Sequence, residues 1–198
     1  MIARARTIAV LAVVAGGALA IIASTQTWLD VTLRTGSDEP LTVAGAAAVP
    51  LLAPLSLASL ALGLALTVVG IALRYVFGVL AVAIGAALAV TSARVGLQHP
   101  LDAVATAVTK ATGLSGDAAV ADLVTAVAGT PWPFFASAAG LLIAAGGVLT
   151  LVTAHRWRAG GRRYQRDATP AGAATGSRPH DAIDSWDDLT HGADPTAR

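Results

Sequence analysis

The stretch that decides the reading is Ile8–Ala23, IAVLAVVAGGALAIIA: it contains no acid, base, amide or hydroxyl. Such a run cannot be one face of a soluble helix, because every face is apolar. The rest of the chain repeats the message. Only 13% of the 198 residues are charged and 55% are hydrophobic, against about 25% charged in ordinary soluble domains. A surface so poor in charge needs lipid as its solvent. There is no cysteine, which removes disulfides, thiolate nucleophiles and cysteine-ligated metals together.

A bilayer core about 30 Å thick takes roughly 20 helical residues at 1.5 Å each. Four stretches free of ionisable residues are long enough: Arg6 to Asp30, Glu39 to Arg74, Arg74 to Arg94, and Asp122 to His155. They predict an all-α membrane protein, a bundle of four transmembrane helices at about 7–24, 50–73, 76–93 and 132–154, filling a domain over 1–159. In lipid each run must be helical, since only a helix satisfies all its backbone groups within one segment. Pro50 and Pro54 belong near the start of the second helix, where a missing amide hydrogen costs least.

Outer loops are expected at 25–49 and 94–131. Trp28 to Arg34 and Leu41-Thr42-Val43 carry strand-forming residues around the turn-forming Gly36-Ser37-Asp38, a pattern that fits a short extracytoplasmic β-hairpin or an irregular loop. In the second loop Leu101, Val104, Ala105 and Val108 recur at helical spacing. Val120, Leu123, Val124 and Val127 do so again after Ser115-Gly116-Asp117. Two short helices follow, either lying on the membrane or capping the bundle.

Arginine placement orients the bundle. Arg4, Arg6, Arg74 and the cluster Arg156, Arg158, Arg162, Arg163 and Arg166 fall in segments on one side, and Asp and Glu dominate the other. Positive segments stay inside, so both termini are expected in the cytoplasm. Arg156, Arg158, Arg162 and Arg163 would lie against anionic headgroups, and Trp28, Trp132 and Trp157 would stand at the interfaces. An alternative reading makes the first span a cleaved signal peptide.

From 160 to 198 apolar periodicity stops and Ala, Thr, Gly, Pro, Ser and Asp prevail. Such a segment buries too little surface to offset its ordering entropy, so a disordered cytoplasmic tail is expected. One island interrupts it at 185–196. Ser185 can cap a turn bearing Trp186, Asp187, Asp188 and Leu189, and Asp194-Pro195 follow. An exposed tryptophan and leucine on an acidic turn suit docking to a soluble partner.

Reactive constellations are missing from the sequence: no phosphate-binding glycine loop, zinc-type histidine spacing or Gly-x-Ser-x-Gly elbow occurs. No enzyme, catalytic residue, metal, cofactor or nucleic-acid partner is expected. The spans carry hydroxyls such as Ser56, Ser59, Thr67, Ser137 and Thr150, which commonly bond back to their own helix. They also carry small residues at i, i+4 spacing: Gly16 and Ala20; Ala81, Gly85 and Ala89; Ala136, Gly140 and Ala144. These faces predict close helix packing and leave a homo-oligomer open.

Three local patterns carry a resemblance: Thr25-Gln26-Thr27-Trp28, the segment His155-Arg156-Trp157 through Gly161-Arg162-Arg163-Tyr164, and the ending Trp186-Asp187-Asp188-Leu189-Thr190-His191-Gly192-Ala193-Asp194-Pro195-Thr196. With four spans, they resemble the tryptophan-biosynthesis-associated, or tryptophan-operon-associated, membrane protein family of actinobacteria. The resemblance implies the plasma membrane and a genetic link to tryptophan biosynthesis, and brings no catalytic residue. Two functions are therefore expected to compete. One is a non-enzymatic membrane protein docking a partner through its tail. The other is a transporter or exporter component for tryptophan, indole or a related small molecule.

Overall fold

The computed structural model describes residues 2–34 and 39–156. The turn at 36–38, Trp157, Arg158, Arg162, Arg163 and the tail motif at 185–196 lie outside them.

Helix α1 (Ile2–Thr25) runs straight into strand β1 (Thr27–Leu33). Strand β2 (Leu41–Ala44) follows, then a single turn α2 (Gly45–Ala48), helix α3 (Leu52–Ala65) and helix α4 (Ile71–Gln98). Beyond them come α5 (Leu101–Thr112), α6 (Asp117–Leu123), strand β3 (Val124–Gly129), and α7 (Trp132–Thr153), which ends in a 3-10 turn, Ala154–Arg156. Among the described residues, three helices are long and apolar enough to cross a membrane: α1, α4 and α7. The second apolar stretch forms α3, with 14 residues.

Two expected boundaries move. The second helix was expected over 50–73 and the third over 76–93, divided at Arg74. The break falls earlier instead, at Gly70, whose extended backbone (φ −70°, ψ 173°) caps α4. Thr67 turns its hydroxyl back onto the Leu64 carbonyl at 2.6 Å, and the last amides of α3 tighten into i→i+3 bonds at Thr67 and Val68, the usual way a helix closes. Arg74 thus sits in the first turn of α4, not in a connection. Pro54 lies in the first turn of α3, where its missing donor would have had no partner anyway.

The hairpin is real and larger than expected. β1 and β2 pair antiparallel, Leu29 opposite Val43 and Val31 opposite Leu41. The other edge of β1 pairs antiparallel with β3, Leu29 opposite Gly129 and Val31 opposite Val127, giving the order β2-β1-β3. Val124 and Val127 were expected on a helix and instead form this third strand. Spaced three apart, they fit a helical stripe, but β-branched residues also suit a strand, and the open edge of β1 supplies the partner. Only Val120 and Leu123 of that set remain helical, on α6.

The sheet, α2, α5 and α6 form a cap at one end of the helices. Its core is Trp28, Leu29, Val31, Val43, Val104, Val108 and Val120, all 2% exposed or less. Helix α5 packs on α2 and β2 through Ala103, Val104 and Val108, so it caps the bundle. Below the cap the helices pack through small residues, while Ile8, Leu11, Leu57, Val76, Val79 and Leu141 point outward and exposed, an apolar girdle that lipid would cover.

Candidate functional site

The four apolar helices meet along unequal seams. At α4–α7 the backbones touch. A Cβ on Gly85 would lie 2.5 Å from both the Gly140 carbonyl oxygen and the Ala144 nitrogen, and one on Gly140 would lie 2.6 Å from the Ala89 nitrogen. Ser137 of α7 donates across this seam to the Ala89 carbonyl at 2.7 Å, an interhelical bond where a bond within its own helix was expected. At α1–α7 a Cβ on Gly16 would come 2.8 Å from the Ala139 carbonyl oxygen. The small-residue faces read from the sequence therefore do bring helices together, within one chain. The other hydroxyls bond back locally: Ser56 to the Leu52 carbonyl at 2.6 Å, Ser59 to Leu55 at 2.9 Å and Thr150 to Gly146 at 2.8 Å. Ser92, wholly buried on α4, has no hydrogen-bond partner among the described residues.

The α3–α4 seam differs. Helix α3 packs chiefly on α1, and at the cap end it stands away from α4. The resulting crevice holds about 310 Å³ and is walled by Pro50 and Leu55, by Ala87, Leu88 and Thr91 of α4, and by Ala103 of α5. Its lining is mostly apolar. Arg94 and Asp102 also line it, paired through Arg94 Nη2 and Asp102 Oδ2 at 3.1 Å. The sequence separates these two by a helix end and a proline. They meet because His99 takes the left-handed conformation (φ 45°) that ends α4 and Pro100 starts α5 at once. Reading the sequence missed this pair; the visible signal was a His-Pro break between a span and an amphipathic helix with Asp102 in its first turn.

At the opposite end Arg6 donates to the Thr67 carbonyl oxygen, and Arg74 is 2% exposed. Among the described residues no group of three or more His, Asp or Glu side chains is placed to hold a metal.

The aromatic residues expected at the interfaces divide. Trp28 is fully buried. Its indole N–H donates to the Ala23 carbonyl at 2.8 Å, and its ring leaves no room for a side chain at Gly45, where a Cβ would lie 2.5 Å from Nε1. It therefore locks the sheet to the end of α1, and protein, not headgroups, surrounds it. Trp132 is half-buried at the start of α7, tilted against Phe135 with ring centroids 5.5 Å apart. Arg156 closes the 3-10 turn after α7.

No curated protein matches the chain, and no solved structure does. The profile of a family described as tryptophan-associated transmembrane protein matches residues 10–196. That match covers nearly the whole chain, helices, cap and tail motif together, and the chain therefore belongs to the tryptophan-associated transmembrane protein family.

Proposed function

We propose that this chain is a non-enzymatic, four-span protein of the plasma membrane, with both termini in the cytoplasm, that docks a soluble partner through its C-terminal tail. The observation that carries the docking reading is the extent of the family match. It runs to residue 196 and so takes in the whole motif at 185–196, with Trp186, Asp187, Asp188, Leu189, Asp194 and Pro195. A tail serving only as a tether would have no reason to share sequence with the family that far from the membrane.

The fourth span draws support from the other end of α3. The Arg6–Thr67 bond ties the α3–α4 turn to the beginning of α1, whereas α3 starts in the cap beside α2. Helical hydrogen bonding continues past Ala65 to Val69, so the coil from Leu51 to Val69 covers roughly 28 Å, close to the thickness of a bilayer core. The arginines at 4, 6, 74, 156, 158, 162 and 163 favour a cytoplasmic position for that end.

Affinity capture of the full-length protein from solubilised membranes, wild type against Trp186→Ala and Leu189→Ala, tests the docking. A partner lost with both substitutions is expected; the same proteins recovered with all three would overturn it. The crevice at the α3–α4 seam favours a second reading, in which the protein takes part in moving tryptophan, indole or a similar small molecule. Unchanged uptake and efflux of labelled tryptophan and indole in a deletion strain would contradict it.

A further inference from the structure

We infer that the crevice between α3, α4 and α5 is a binding site for a free α-amino acid with a large apolar side chain, its carboxylate on Arg94 and its ammonium on Asp102. This deepens the small-molecule reading by naming a site and a ligand class, and it does not require that the ligand be carried across the membrane.

Size comes first. About 310 Å³ equals roughly ten waters' share of liquid volume and lies at the small end of ligand pockets. It accommodates one molecule of amino-acid size and is too small for a two-chain lipid. The lining comes second. Pro50, Leu51, Leu55 and Ala87 offer apolar surface that is open when the crevice is empty, so an apolar side chain gains by entering. An ion or a sugar would not.

The charge at the rim selects the head group. Arg94 and Asp102 lie on one edge of an otherwise apolar crevice, with side chains 56% and 64% exposed. An exposed pair of this kind holds together weakly, at about 0–1 kcal/mol, so it exchanges partners at little cost. A zwitterion placed between them replaces one ion pair with two: the guanidinium takes a carboxylate in its fork, and the aspartate takes an ammonium. A simple anion would satisfy Arg94 and be repelled by Asp102, and a simple cation the reverse. The Thr91 hydroxyl, on the α4 wall, spends its proton on the Ala87 carbonyl at 2.7 Å and keeps lone pairs to accept from the ammonium. Backbone closes on backbone at the seams on either side of α7, whereas this seam combines room, apolar walls and both charges.

The test uses the full-length chain in nanodiscs of phosphatidylglycerol and isothermal titration with L-tryptophan, L-phenylalanine, L-alanine, L-phenylalanine methyl ester, and dihexanoyl phosphatidylethanolamine as a lipid zwitterion. Saturable binding of the two aromatic amino acids is expected, at least tenfold tighter than L-alanine or the ester. Ala87→Trp, which fills the crevice from an exposed position on α4, should weaken binding at least tenfold, as should Arg94→Gln, with the folded state of each checked by circular dichroism. Absence of saturable amino-acid binding to the folded wild type would overturn the proposal, as would binding indifferent to Ala87→Trp. Binding of the phosphatidylethanolamine alone would also overturn it and assign the crevice to lipid. Tight amino-acid binding with unchanged fluxes in the deletion strain would uphold this site and refute transport.

Discussion

Helix α4 has two neighbours in the bundle and treats them in opposite ways. Against α7 it places Gly85 and Ala89 on Gly140 and Ala144 so closely that a Cβ at either glycine would sit within 2.6 Å of backbone. Against α3 it leaves a crevice of about 310 Å³ with an ion pair on its rim. Without a hydrophobic drive between helices in lipid, association rests on van der Waals contact and interhelical hydrogen bonds. The α4–α7 seam has both, through its glycines and the Ser137–Ala89 bond. The α3–α4 seam has much less direct contact, so its integrity depends more on α3 being held by α1 and by the cap. One seam is built for stability and the other is left available for a ligand.

Substitutions should separate the two. Gly140→Leu ought to be the most damaging: the new side chain meets Ala89 and Gly85 backbone that cannot step aside, and a loss of about 5 kcal/mol or more is expected, read as a collapse of thermal stability in detergent. Trp28→Ala should cost about 3–5 kcal/mol, because it empties the joint between sheet and α1 and removes the indole donor to the Ala23 carbonyl. Ala87→Trp, on the open seam, should change stability by less than about 1 kcal/mol while it removes the ligand space. A cost as large as that of Gly140→Leu would mean that the two seams do not differ. Smallest of all, Ser92→Ala should be neutral or stabilising by up to about 1 kcal/mol, since it removes a buried hydroxyl with no partner among the described residues. A clear loss of stability would show that the hydroxyl is satisfied.

The sequence made much of this legible. Ile8–Ala23 and Trp132–Thr153 could only be membrane helices, and the glycines at 85 and 140 declared close packing by their spacing. Using charge to mark the ends of spans misled at Arg74, because an arginine fits in the first turn of a helix as well as in a loop, and the real punctuation was Gly70. Val124 and Val127 had helical spacing but β-branched side chains that suit a strand equally well, and the unpaired edge of β1 decided between them. The crevice had no local signal. It depends on how far α3 stands from α4 and on the turn at His99 that swings Asp102 toward Arg94, both properties of the assembled fold.

The proposed topology, four spans with the cap outside and both ends inside, can be tested in one experiment because the chain has no cysteine of its own. Single cysteines at Leu114, exposed in the cap, at Val68, exposed in the α3–α4 turn, and at Ala159 would be treated in intact cells with a membrane-impermeant maleimide. Labelling at Leu114→Cys, with Val68→Cys and Ala159→Cys protected until the cells are opened, is the predicted result. Labelling of Val68→Cys or Ala159→Cys in intact cells would contradict it.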